Sequence, residues 1–141
     1  MATFEDVHRV IHELHRKIAA DWYAKRPEYG IATLKFDMDG TQDGYGRWPN
    51  EIIVSIGGAE LDDSDILNSE AWPIWKRSLV HEMLHEFDRK EVVEADKEGR
   101  ELYKKYGNKW GDTGHDERFY TAIANRAPYF GLTADKLIQS I

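Results

Sequence analysis

The chain has no cysteine among its 141 residues. That excludes disulfides and every thiolate metal site, so a metal held here must be held by histidine and carboxylate. No apolar run comes near the length of a membrane span. No signal peptide is expected, because the start, Met1-Ala2-Thr3-Phe4-Glu5-Asp6, turns acidic at once. Positive charge is in deficit, with 19 Lys and Arg against 26 Asp and Glu and a formal net charge of -7. Such a field does not grip nucleic acid, which is not expected as a partner of this domain alone. Repeats and low-complexity tracts are absent. The expectation is one cytoplasmic domain over residues 1–141, long enough for a core without staples.

The most informative stretch is His81-Glu82-Met83-Leu84-His85, which reads HExxH. A helix over 72–89 puts His81 and His85 one turn apart on one face. Two imidazoles at that spacing can hold one zinc ion, with Glu82 beside a water on the metal. This is the arrangement of a zinc-dependent peptidase. The helix should begin near Ser69 to Trp72, with Pro73 in its first turn. Trp72, Trp75, Leu79, Met83 and Phe87 form the core stripe; the histidines share another stripe with Ser78 and Asp88. The plain alternative is a chance HExxH on a core helix.

A third ligand must come from further on. The metzincin extension needs Gly and His where Asp88 and Glu91 stand. Residues 90–106 read as a charged surface helix with Gly99 weakening its middle. Glu94, Glu98 and Glu101 on it are candidate ligands, although a solvated face is the ordinary fate of such a run. His115 is the other candidate. Asp112 or Thr113 should cap a helix over 114–127, ended by Pro128, with His115 in its first turn on the side of Phe119, Ala122 and Ile123. The positive end of that helix disfavours imidazolium and keeps a ring nitrogen free for metal.

Around these lie ordinary elements. Residues 4–22 predict an amphipathic helix on Phe4, Val7, Ile11, Leu14, Ile18 and Trp22, capped by Thr3 with Asp6. Its His8, His12 and His15 are expected at the rim or toward solvent. Residues 31–38 alternate as a strand. Residues 39–50 read as a hairpin-like loop whose glycines lack the spacing of a phosphate loop. Residues 51–56 form a β-branched strand ended by Gly57-Gly58. That strand is the expected edge along which a peptide substrate adds, an ordinary packed strand being the alternative. Residues 59–70 are an acidic connector without the EF-hand pattern. A short helix over 133–141 follows Gly131, with Thr133 as cap.

With Ile52-Ile53-Val54-Ser55-Ile56 before HExxH and Gly114-His115-Asp116-Glu117-Arg118-Phe119 after it, the chain resembles the SprT-like family of small zinc metallopeptidases, close to the minigluzincins. The resemblance covers roughly residues 4–125. It implies an α+β, zincin-like mini-domain with an N-terminal helix, a small antiparallel or mixed sheet of two or three strands, the HExxH helix and C-terminal helices. It also implies one zinc ion per chain on His81, His85 and His115, with Glu82 as acid/base. The zinc-ribbon tail and basic DNA-binding segment of some members have no counterpart here. The expected reaction is hydrolysis of a protein or peptide substrate, endopeptidase-type, with Glu82 passing a proton from water to the leaving amine. Tyr103, Tyr106 and Tyr120 are candidate oxyanion donors, and Asp88, Asp112 and Asp116 candidate partners for a ligand imidazole. The rival function is a non-catalytic zinc-binding or protein-interaction domain that retains the fold.

Overall fold

A computed structural model describes residues 3–30, 32–37, 44–47, 51–55, 70–111 and 114–141. The protein is α+β and mostly helical. It divides into two compact units, Met1–Glu82 and Met83–Ile141, and the division falls within one helix.

The first unit opens on α1, Phe4–Trp22. Its start is fixed locally. Asp6 N–H donates to Thr3 Oγ1 at 3.2 Å while Asp6 Oδ2 accepts from Thr3 N–H at 3.1 Å, a closed capping box. The Thr3 backbone N–H holds the Asp6 carboxyl below its ordinary range. Val7, Ile11, Ile18 and Trp22 are buried along one stripe, as the spacing predicts, with Ala19 beside them, whereas Leu14 is half-buried. His8 and His12 are half-buried at its rim, whereas His15 is buried, contrary to expectation. It falls three residues from Ile18 and four from Ile11, on the core stripe itself. A 3₁₀ turn, Pro27–Gly30, follows the helix.

Three strands make a mixed sheet: β1 (Thr33–Asp37), β2 (Gly44–Arg47) and β3 (Glu51–Ser55), in the order β1-β3-β2. β1 runs parallel to β3, with Leu34 opposite Ile52 and Phe36 opposite Val54. β2 runs antiparallel to β3, with Tyr45 opposite Ile53. Two expectations fail here. The glycine-rich stretch read as loop contains β2, because pairing with a strongly apolar neighbour outweighs the weak strand propensity of Gly44 and Gly46. The strand at 51–56 is not an edge: β3 is central, and its backbone groups serve β1 on one side and β2 on the other. Its buried Ile52, Ile53 and Val54 fit a central strand. The expected Gly57-Gly58 stop, the acidic connector up to residue 69 and the turn residues 38–43 and 48–50 lie outside the described residues.

The helix that bears HExxH, α2, runs Ile74–Glu91. It starts one residue after Pro73, whose carbonyl accepts from Lys76 and Arg77 N–H at 3.0 Å each. A single core stripe was expected. Instead Trp75, Leu79, Val80, Met83, Leu84 and Phe87 are all buried, with Ser78, Glu82 and Glu86 among them, so most of the circumference is covered.

The second unit continues with α3 (Lys97–Tyr106), α4 (Glu117–Arg126) and α5 (Ala134–Ser140). The charged run at 90–106 is therefore the end of α2, a connector and a shorter helix. Asp96 caps α3, its Oδ1 accepting from Gly99 N–H at 2.8 Å. Gly99 is no mere weak point. A Cβ there would stand 1.9 Å from Thr121 Oγ1 and 2.8 Å from the carbonyl oxygen of Glu117, so only glycine lets α3 and α4 approach this closely. α4 begins later than 114 because Asp116 is its cap, with Oδ1 accepting from Arg118 and Phe119 N–H at 3.1 and 3.2 Å. The expected caps Asp112 and Thr113 lie outside the described residues. Thr133 caps α5 as expected. Among the described residues, no helix is long and apolar enough to cross a membrane.

Candidate metal centre

His81 and His85 lie one turn apart on α2, which fixes their separation by helix geometry alone. His115 reaches them from outside any helix, one residue before the cap Asp116. Each of the three half-buried imidazoles offers one nitrogen, and those nitrogens all lie within 4.8 Å of one another. His85 Nε2 and His115 Nε2 are 3.0 Å apart. Two nitrogens bound to one tetrahedral zinc at about 2.0–2.1 Å stand roughly 3.4 Å apart, so small ring movements suffice to admit the ion. The donor set is all imidazole, which suits zinc. Glu82 follows His81 on the helix and is 6 % exposed.

The third histidine is held by its surroundings. The Phe119 ring stacks on His85 at 4.2 Å and meets His115 edge-on at 5.1 Å. Trp110 packs against His115 at 5.6 Å and against Phe119 at 5.6 Å. Gly114, with φ 74°, turns the chain into His115 through a conformation that disfavours side chains. A Cβ on it would stand 3.3 Å from His85 Cε1. The glycine is legible in the sequence as part of a Gly-His pair; its closeness to a ring 29 residues earlier is not.

The other candidates fall elsewhere. Glu94, Glu98 and Glu101 are exposed, and Glu101 faces Lys97 at 4.0 Å, so they do not join the histidines. The Tyr120 hydroxyl donates to the carbonyl of Gly107 at 3.0 Å and that of Tyr106 to Asp135. Both are engaged away from the imidazoles. Tyr103 meets Tyr120 edge-on, ring to ring. Asp116 caps α4, and Asp88 faces the guanidinium of Arg118, Oδ1 to Nε 3.3 Å. Burial pushes the Asp88 carboxyl up to about 6, against the pull of Arg118. His8 and His12, four residues apart like the motif pair, turn to Phe36: His8 stacks on it at 4.1 Å and His12 meets it edge-on at 5.6 Å. Trp110 and Arg118 carry no motif signal, and sequence reasoning passed over both. No protein-family model, curated protein or solved structure matches the chain.

Proposed function

We propose that this protein is a zinc-dependent peptidase, a zincin-like metallopeptidase domain of endopeptidase type. One observation carries the reading: three imidazoles, two from HExxH and one from a distant segment, bring their nitrogens within 4.8 Å of one another, with Glu82 next to the first on the helix. A chance HExxH on a core helix has no reason to meet a third histidine.

His81, His85 and His115 would hold one zinc ion as neutral ligands. Zinc bound there supplies a Lewis acid and lowers the pKa of a coordinated water toward about 7. Glu82 acts as general base, takes a proton from the attacking water and delivers it to the leaving amine. Phe119 and Trp110 press on His115 and limit the ring orientations open to it. With β3 central, an extended protein or peptide substrate adds to β1 or β2, the outer strands among the described residues. A cytoplasmic setting agrees with the absence of cysteine.

The test joins metal content with hydrolysis. Protein purified without added metal should carry about one zinc per chain. Glu82→Gln should keep that zinc and lose about 10²–10⁴-fold in peptide hydrolysis, the contribution of a general base. Full activity in Glu82→Gln would sink the mechanism. A wild type that retains no zinc after it is offered would sink the site.

A further inference from the structure

Beyond the ligands themselves, we infer that Arg118 is a positioning residue that holds His115 at metal-binding distance from His85. The inference rests on the proposed zinc site and concerns how its third ligand is kept in place.

His115 has no helix of its own. It depends on the start of α4 being fixed against the end of α2, one turn past His85. Arg118 makes that connection. Its Nη2 donates to the carbonyl of Asp88 at 3.1 Å and to that of Val92 at 2.6 Å. Its Nε faces Asp88 Oδ1 at 3.3 Å. One guanidinium thus donates to two carbonyls at the C-terminal end of α2 and sets its charge beside the Asp88 carboxyl. At its other end, the Arg118 backbone N–H is tied to Asp116 Oδ1 at 3.1 Å. The path from the clamp to His115 is therefore three residues of capped chain. The rigid guanidinium presents Nη2 to both carbonyls and Nε to the Asp88 carboxyl in one plane, a geometry that a flexible lysine ammonium does not reproduce. Groups that hydrogen-bond a ligand directly carry about 10–100-fold in metal affinity, which bounds what a residue acting through the chain can contribute.

The alternative is a helix-end cap with no bearing on the metal. Stability would then change, while the folded chain would take metal as before. The deciding experiment titrates the metal-free full chain with Co²⁺, reading the dissociation constant and the visible d–d absorption. Wild type, Arg118→Met, Arg118→Lys, Asp88→Asn and His81→Ala are compared well below their melting temperatures. Arg118→Met should lose more than about twofold and up to about 100-fold in Co²⁺ affinity and change the band shape. Arg118→Lys should recover only part of the loss, and Asp88→Asn should weaken binding in the same direction by less. If Arg118→Met does not fold, Arg118→Lys carries the test. Affinity within twofold of wild type and an unchanged spectrum in the folded Arg118 variants would overturn the inference and leave the zinc site standing. Wild type that takes no Co²⁺, or takes it undiminished in His81→Ala, would overturn the site and this inference together.

Discussion

Two helices of this chain carry histidines four residues apart, and they put them to different uses. On α1, His8 stacks on the ring of Phe36 and His12 meets it edge-on. On α2, His81 and His85 meet a third imidazole. The local geometry is the same in both, because it follows from 3.6 residues per turn. What differs is the segment each pair faces. α1 faces a strand with an aromatic ring, and α2 faces a tight turn in which Gly114 lets His115 come close. Spacing creates a pair of donors, and the opposing chain decides whether they become a site.

The difference should break most sharply when single ligands are removed. His81→Ala should lose stoichiometric zinc, while His8→Ala and His12→Ala keep it. In structural zinc sites about 10–16 kcal/mol is shared among four protein ligands, which makes one ligand worth about 3 kcal/mol, a hundredfold or more. Elemental analysis of the purified variants reads this directly, and zinc lost equally from both sets would erase the distinction between the helices.

Stability gives the next effect. Gly99→Ala gains about 1 kcal/mol of helix propensity. Against it stands an overpacking cost of about 1–3 kcal/mol or more. The clash wins, because two of the three contacts are backbone atoms of α4 at 2.8 Å that no rotamer change relieves. Urea denaturation should show a lower midpoint, and an unchanged or higher one would mean that α3 and α4 leave room for a methyl group at Gly99. A smaller effect is expected at the turn itself. Gly114→Ala places a side chain at φ 74° and 3.3 Å from His85 Cε1, which should cost about 1–2 kcal/mol in the folded chain and weaken zinc in a competition assay. The same change at Gly107, also at positive φ but with open space around it, should strain the backbone without touching metal affinity.

The smallest effect is a pH dependence. In the metal-free chain the Asp88 carboxyl titrates at about 6, above its ordinary 3.8, chiefly through burial. The folded state therefore holds that proton more tightly than the unfolded state does. Its contribution to stability is full below pH 3.8 and is lost as pH rises through about 6. Asp88→Asn should flatten this part of the pH profile of the melting temperature, and a profile parallel to wild type would assign the dependence to other groups.

Much of this was legible in advance, for definite reasons. The bounds and cap of α1 follow from a three-and-four spacing and from Thr3 with Asp6, all within one turn of one another. HExxH on a helix is local in the same sense. The strand at Gly44–Arg47 was not legible, because its partner rather than its composition makes it a strand. Nor was the place of β3: a run of Ile52, Ile53 and Val54 reads alike at an edge and at a centre until its neighbours are known. Asp116 displaced the expected cap by carrying its own carboxylate to two backbone donors, and this moved His115 out of the helix.

By itself the sequence determined the donors: three histidines and a glutamate in a chain without thiols, two of the histidines placed on one face by the period of the helix. Only the tertiary structure decided that the third histidine joins them. That approach spans 30 residues between His85 and His115, and it holds only after Gly114, Phe119 and Arg118 bring the two segments together. Contacts within a turn follow from the chain's own dihedrals, whereas contacts at long separation exist only once packing has offset the entropy of closing the loop.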